Sequence, residues 1–106
     1  MLDRLAAAHF TPLLAQPQQL MLPDGSTLPV RIDGVSESPQ SRLPGAAAER
    51  RTPFTVTLTA LEPTAFTDGL CAIDLPELGR VEGIYVGRLA ALGRDQAGAY
   101  FQINFN

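Results

Sequence analysis

Phe54-Thr55-Val56-Thr57-Leu58-Thr59-Ala60 alternates apolar and hydroxyl side chains without a fault. A period of two is that of a β-strand, whose successive side chains point to opposite faces, and β-branched residues suit a pleated surface. One face of this strand is expected to be buried, and its threonine face to meet water or a partner.

On the N-terminal side the same period continues. Leu20 and Leu22 lead into Pro23-Asp24-Gly25-Ser26, after which Leu28, Val30 and Ile32 alternate with Pro29, Arg31 and Asp33. Proline presets the first turn position and glycine accepts a positive φ, so this reads as a hairpin. On the C-terminal side, Glu62-Pro63 and Asp68-Gly69 are turn signals. Cys71, Ile73 and Leu75 then share a face, and Pro76 ends that strand because it cannot donate to a ladder. Residues 81–89 are apolar on both faces, with Ile84 and Val86 opposed to Tyr85 and Leu89, which suits a central strand covered on both sides. After Ala97-Gly98, Phe101, Ile103 and Phe105 point one way and Tyr100, Gln102 and Asn104 the other.

No helical pattern lies between strands to serve as a parallel crossover. The expected class is therefore all-β, with about six antiparallel strands in a small sandwich or partly closed barrel. A short N-terminal helix is expected over residues 2–10, where Leu2, Leu5 and His9 fall at helical spacing in an alanine-rich stretch. So short a helix is marginal alone and must dock on the body or on a neighbour. Residues 1–106 have room for a single domain. The stretch from about 36 to 52 has no period and reads as a long loop, of a length usually functional or disordered.

The formal net charge is −3, and all eight basic residues are arginine. Nucleic-acid binding needs a clustered positive field to displace phosphate counterions, and anionic membranes make the same demand, so neither partner is expected. No run approaches the roughly 20 apolar residues of a membrane span, and the N-terminal stretch has no signal-peptide core. Synthesis in the cytoplasm is expected. The one cysteine, Cys71, allows no internal disulfide, no CxxC pair and no cysteine-based zinc site.

The residues that could carry chemistry read more simply as structure. His9 is the only histidine and suits packing or capping, while Cys71, inward in mid-strand, is a poor thiolate. Asp74 with Glu77, or Asp68 with Glu82, could do acid and base work in a cleft, but they fall at turns and strand ends where solvated acids usually sit. Calcium-loop spacing is absent, and Pro44-Gly45-Ala46-Ala47-Ala48 lacks the lysine of a phosphate loop. No catalytic residue, metal or cofactor is expected. The candidates for partner binding are Arg42, Arg50 and Arg51, able to clamp carboxylates, and the outward Thr55, Thr57 and Thr59.

The run from Pro53 to Leu58, residues 70–75, Leu78-Gly79-Arg80, Ile84-Tyr85-Val86 and the closing residues 100–106 together resemble a family of uncharacterised small bacterial all-β domains. Members of that family are often encoded beside phage-tail-collar-like proteins. The resemblance covers about residues 10–106 and brings no catalytic residues. It implies an accessory or structural part of a phage-tail-like or surface-fibre assembly, which would carry the protein into an extracellular or phage-like particle.

The expected function is thus a non-enzymatic structural or protein-interaction module, self-associating or bound to a protein partner. One alternative is a small-ligand barrel with a cavity lined by Phe54, Ile84, Phe101 and Phe105. Another is an enzyme whose site is shared between subunits.

Overall fold

A computed structural model describes residues 5–37, 53–76, 78–90 and 98–105. Six antiparallel strands close into a barrel: β1 (Pro17–Met21), β2 (Thr27–Glu37), β3 (Phe54–Ala60), β4 (Asp68–Leu75), β5 (Gly79–Leu89) and β6 (Tyr100–Phe105). Around the barrel the order is β1-β2-β3-β6-β5-β4. The two short pairs Leu20↔Ile73 and Met21↔Ala72 join β4 back to β1. The architecture is therefore all-β as expected, and of the two forms the alternation allowed it is the barrel, fully closed.

Closure depends on two bulges that the alternation alone conceals. Ile32 pairs with Leu58 but Gly34 with Thr57, so Asp33 is an extra residue in β2. Cys71 pairs with Ile84 and Ile73 with Val81, so Glu82 and Gly83 together face Ala72. An inserted residue sharpens the twist and bends the strand, as a small barrel requires. It also exchanges the faces. Inward residues run Leu28, Val30, Ile32 and then Val35 in β2, and Val81, then Ile84 and Val86 in β5. Gly83 turns the second bulge with φ +74°, a conformation costly for residues with a Cβ. Residues 81–89 are therefore not covered on both sides: the apparent two-sided hydrophobicity is the exchange of faces, and Tyr85 points to solvent.

The N-terminal segment closes one end of the barrel. The helix α1 (Ala7–Phe10) is a single turn, shorter than expected, and runs into a 3-10 turn at Thr11–Leu13 that contains Pro12. Residues 2–4 of the expected helix lie outside the described residues. Leu5 and Phe10, rather than His9, carry the buried face. Phe10 lies 5.9 Å from Phe54 and 5.6 Å from Phe105, whose rings stack at 4.5 Å. At the opposite end Phe66, from the β3–β4 connection, packs 5.6 Å from Phe101. Arg88 lies over the Phe101 ring and donates from Nη1 to the Phe66 carbonyl at 2.9 Å. Between these ends Val30, Ile32, Val56, Leu58, Ile84, Val86 and Ile103 fill the barrel.

Two further expectations shift. Ser36 and Glu37, assigned to the long loop, are the last residues of β2, and residues 38–52 lie outside the described residues. Asp68, read as a turn residue, opens β4. No helix among the described residues is long and apolar enough to cross a membrane.

Candidate protein-interaction face

The outer face of the β4–β5 ladder carries Leu70 and Tyr85, which are directly opposed. Their side chains sit within contact range across the ladder. They are 60% and 56% exposed, the most exposed large hydrophobic residues of the described chain. Scattered exposed leucines need no explanation, but a leucine and a tyrosine paired on one outer face form the nucleus of an apolar patch. The Tyr85 hydroxyl donates to Asp68 Oδ2 at 2.5 Å, and Thr67 Oγ1 donates to Asp68 Oδ1 at 3.1 Å. That bond holds the phenol along the strand and restricts its rotation. It also raises the Tyr85 pKa, with burial and repulsion from the carboxylate adding to the shift.

Charges surround the apolar pair. Asp68 and Asp74 on β4 and Glu82 on β5 are exposed acids, and the exposed Arg80 stands opposite Asp74. Arg80 Nε also lies 3.3 Å from Glu82 Oε1, an exposed pair of little energetic weight. The face thus has an apolar centre and a predominantly acidic rim.

Beside Asp68, between the β1–β2 turn and the β3–β4 connection, opens a cleft of about 390 Å³ lined by Leu22, Asp24, Ser26, Thr64, Phe66 and Asp68, among others. Its acids are already engaged. Asp24 Oδ1 accepts from the Ser26 amide at 2.9 Å and from Ser26 Oγ at 2.5 Å, which lowers the Asp24 pKa and closes the turn.

The three threonines stand in a row on the outside of β3, half-buried, with each hydroxyl engaged. Thr55 donates to Asn104 Oδ1 at 2.8 Å, Thr57 to the Gly34 carbonyl at 3.4 Å and Thr59 to Asp33 Oδ2. Arg31 Nε in turn donates to Asp33 Oδ1 at 2.7 Å. Thr57 and Thr59 tie β3 to β2 at the first bulge, and Thr55 ties it to β6. Arg42, Arg50 and Arg51 lie outside the described residues, as does Glu77.

The remaining titratable candidates are also placed. His9 Nδ1 accepts from the Ala6 amide at 3.0 Å and so caps α1. Cys71 is buried, and burial pushes its thiol up to about 11. Among the described residues, no three His, Cys, Asp or Glu side chains gather where they could hold a metal ion. Sequence reasoning missed the Leu70–Tyr85 pair because it placed Tyr85 on one side of a strand covered on both faces, gave Leu70 no face, and fixed no register between the two strands. The available signal was Leu70 sharing the parity of Asp68 and Asp74, the solvated side of β4.

No curated protein and no solved structure matches this chain significantly. The family model described as Domain of unknown function (DUF6916) matches residues 5–105. With nearly its whole length covered, the chain belongs to the DUF6916 domain family.

Proposed function

We propose that this barrel is a non-enzymatic protein-interaction module, an accessory subunit that docks on a protein partner through the outer face of β4 and β5. The observation that carries the reading is the directly opposed, solvent-exposed Leu70 and Tyr85. Tyrosine is enriched among the residues that dominate interface energetics, and one already held by a hydrogen bond loses little freedom on docking. The acidic rim suits a partner with an apolar centre and arginine or lysine around it. The likeness to domains encoded beside phage-tail-collar-like proteins supports a phage-tail-like or surface-fibre assembly as the setting. The subunit would be made in the cytoplasm and incorporated into that particle.

The alternative of a small-ligand carrier finds less support. Phe54, Ile84, Phe101 and Phe105, the side chains proposed to line its cavity, are each at most 6% exposed and pack against one another or their neighbours. Small barrels of this kind fill their interiors with side chains.

A photo-crosslinking residue at position 70 tests the proposal in cells of the native source. A discrete protein adduct that Tyr85→Ser abolishes, with the barrel still folded by circular dichroism, is the expected result. A chain that remains monomeric at high concentration and yields no adduct overturns it.

A further inference from the structure

We propose that residues 5–14 form an exchangeable plug and that two copies of the chain trade these plugs, each seating its own in the other's barrel. The plug is a small unit with one socket. Leu5 and Phe10 are fully buried, and Phe10 meets the stacked rings of Phe54 and Phe105 at the barrel end. Its one helical turn cannot persist in water unaided, so it must occupy a socket of this shape, its own or a neighbour's.

The link between plug and barrel is short and strained. Ala15 has φ +63°, and it is the one non-glycine residue of the described chain at positive φ. An L-residue pays a steric penalty there. Two residues later Pro17 fixes its own φ and biases Gln16 toward an extended conformation. In the closed form the Ala15 amide donates to the Ile32 carbonyl at 2.8 Å, and Leu14 bridges Ile32 in parallel sense, so the chain doubles back at this point. Straightening the link removes the Ala15 strain. It also offers the Ile32 backbone another partner, because the register Pro17↔Arg31 continues to Gln16 opposite Ile32. Opening therefore lengthens the β1–β2 ladder, exchanging the Leu14 bridge and the Ala15 hydrogen bond at Ile32 for Gln16, while the aromatic contacts of Phe10 with Phe54 and Phe105 are remade between copies. Short hinges under strain favour such exchange, and reciprocal exchange gives a closed two-fold dimer.

The test is the mass of the full chain in solution, by light scattering over a range of concentrations, for the wild type, Ala15→Gly and Ala15→Val. Glycine tolerates the closed hinge and valine opposes it. With two hinges per dimer, Ala15→Gly is expected to weaken dimerisation roughly tenfold or more and Ala15→Val to strengthen it. Tagged and untagged wild-type chains, mixed and briefly unfolded, should refold into mixed dimers. Wild type and Ala15→Val that both stay monomeric at high concentration overturn the proposal. So does a dimer whose affinity is the same in all three, and should Ala15→Val not fold, the comparison with Ala15→Gly decides alone. A dimer that responds to Leu70→Ser and not to the hinge would belong to the β4–β5 face instead, leaving plug exchange refuted and the docking face intact.

Discussion

The hydroxyl of Tyr85 on β5 donates to the carboxylate of Asp68 on β4 at 2.5 Å. This bond exists only while the phenol is protonated, and it is the main reason that the Tyr85 pKa lies above the ordinary 10.0, ahead of burial and the repulsion between carboxylate and phenolate. Since the folded value exceeds the unfolded one, the contribution to stability is complete below about pH 10 and is lost as the pH rises through the raised value. Tyrosinate absorbance of the native chain, after subtraction of a Tyr85→Phe control, should show a late transition that Asp68→Ala moves down. A transition unmoved by Asp68→Ala would mean that the bond does not control the phenol.

The second bulge makes two glycines of the same strand unequal. Gly83 sits at φ +74°, whereas a Cβ on Gly87 would meet Tyr85 Cε1 at 3.6 Å, an ordinary contact. Gly83→Ala should cost about 1–2 kcal/mol and lower Tm by roughly 5–10 °C. Gly87→Ala should change stability by no more than about 0.5 kcal/mol. Thermal unfolding of the two variants side by side checks this, and equal effects would argue that the bulge does not need its glycine.

Cys71 faces the barrel interior, and burial pushes its thiol from 9.0 up to about 11. At pH 8 about one thiol in a thousand is ionised, so alkylation of the native chain should run at least about 100-fold slower than that of the unfolded chain. The raised folded value leaves stability untouched by this group below about pH 9 and removes its contribution as the pH climbs from 9 toward 11. Iodoacetamide labelling followed by mass spectrometry measures the ratio. Equal rates in the native and unfolded chains would mean an accessible, reactive cysteine.

Alternation identified inward residues correctly wherever a strand runs without interruption, as with Phe54, Val56 and Leu58 of β3. It failed at residues 81–89 because an extra residue at Glu82 and Gly83 reverses the faces, and a period count cannot see an insertion that only the partner strand reveals. Closure of the barrel was illegible for a related reason: it rests on β1 meeting β4 over Leu20↔Ile73 and Met21↔Ala72, a pairing that no local pattern encodes. The N-terminal alanines announced a helix and its end at Phe10 was legible, but not its start: Ala6 is extended and leaves a single turn from Ala7, with Phe10 placed over Phe54 and Phe105. Of the candidate site, the outward threonines could be read from the sequence, but not that Asn104, Gly34 and Asp33 occupy their hydroxyls. Leu70 and Tyr85 become a pair only through the β4–β5 register.

Phe10 and Leu14 lie four residues apart in the same N-terminal segment, yet they should differ sharply on substitution. Phe10 is fully buried against two aromatic rings, and its truncation leaves a space at the barrel end that stacked Phe54 and Phe105 cannot fill without parting from each other. Phe10→Ala is expected to cost about 3–5 kcal/mol, the range for removing a buried phenylalanine and leaving a cavity. Leu14 is 37% exposed and meets Ile32 through its backbone bridge, so Leu14→Ser should cost under about 1 kcal/mol. Urea unfolding decides between them: a large fall in midpoint at unchanged slope for Phe10→Ala, and a small one for Leu14→Ser, identify the segment as the aromatic plug of the barrel. Similar midpoints for the two variants would mean that the barrel end holds together without its plug, and that α1 is an appendage rather than part of the fold.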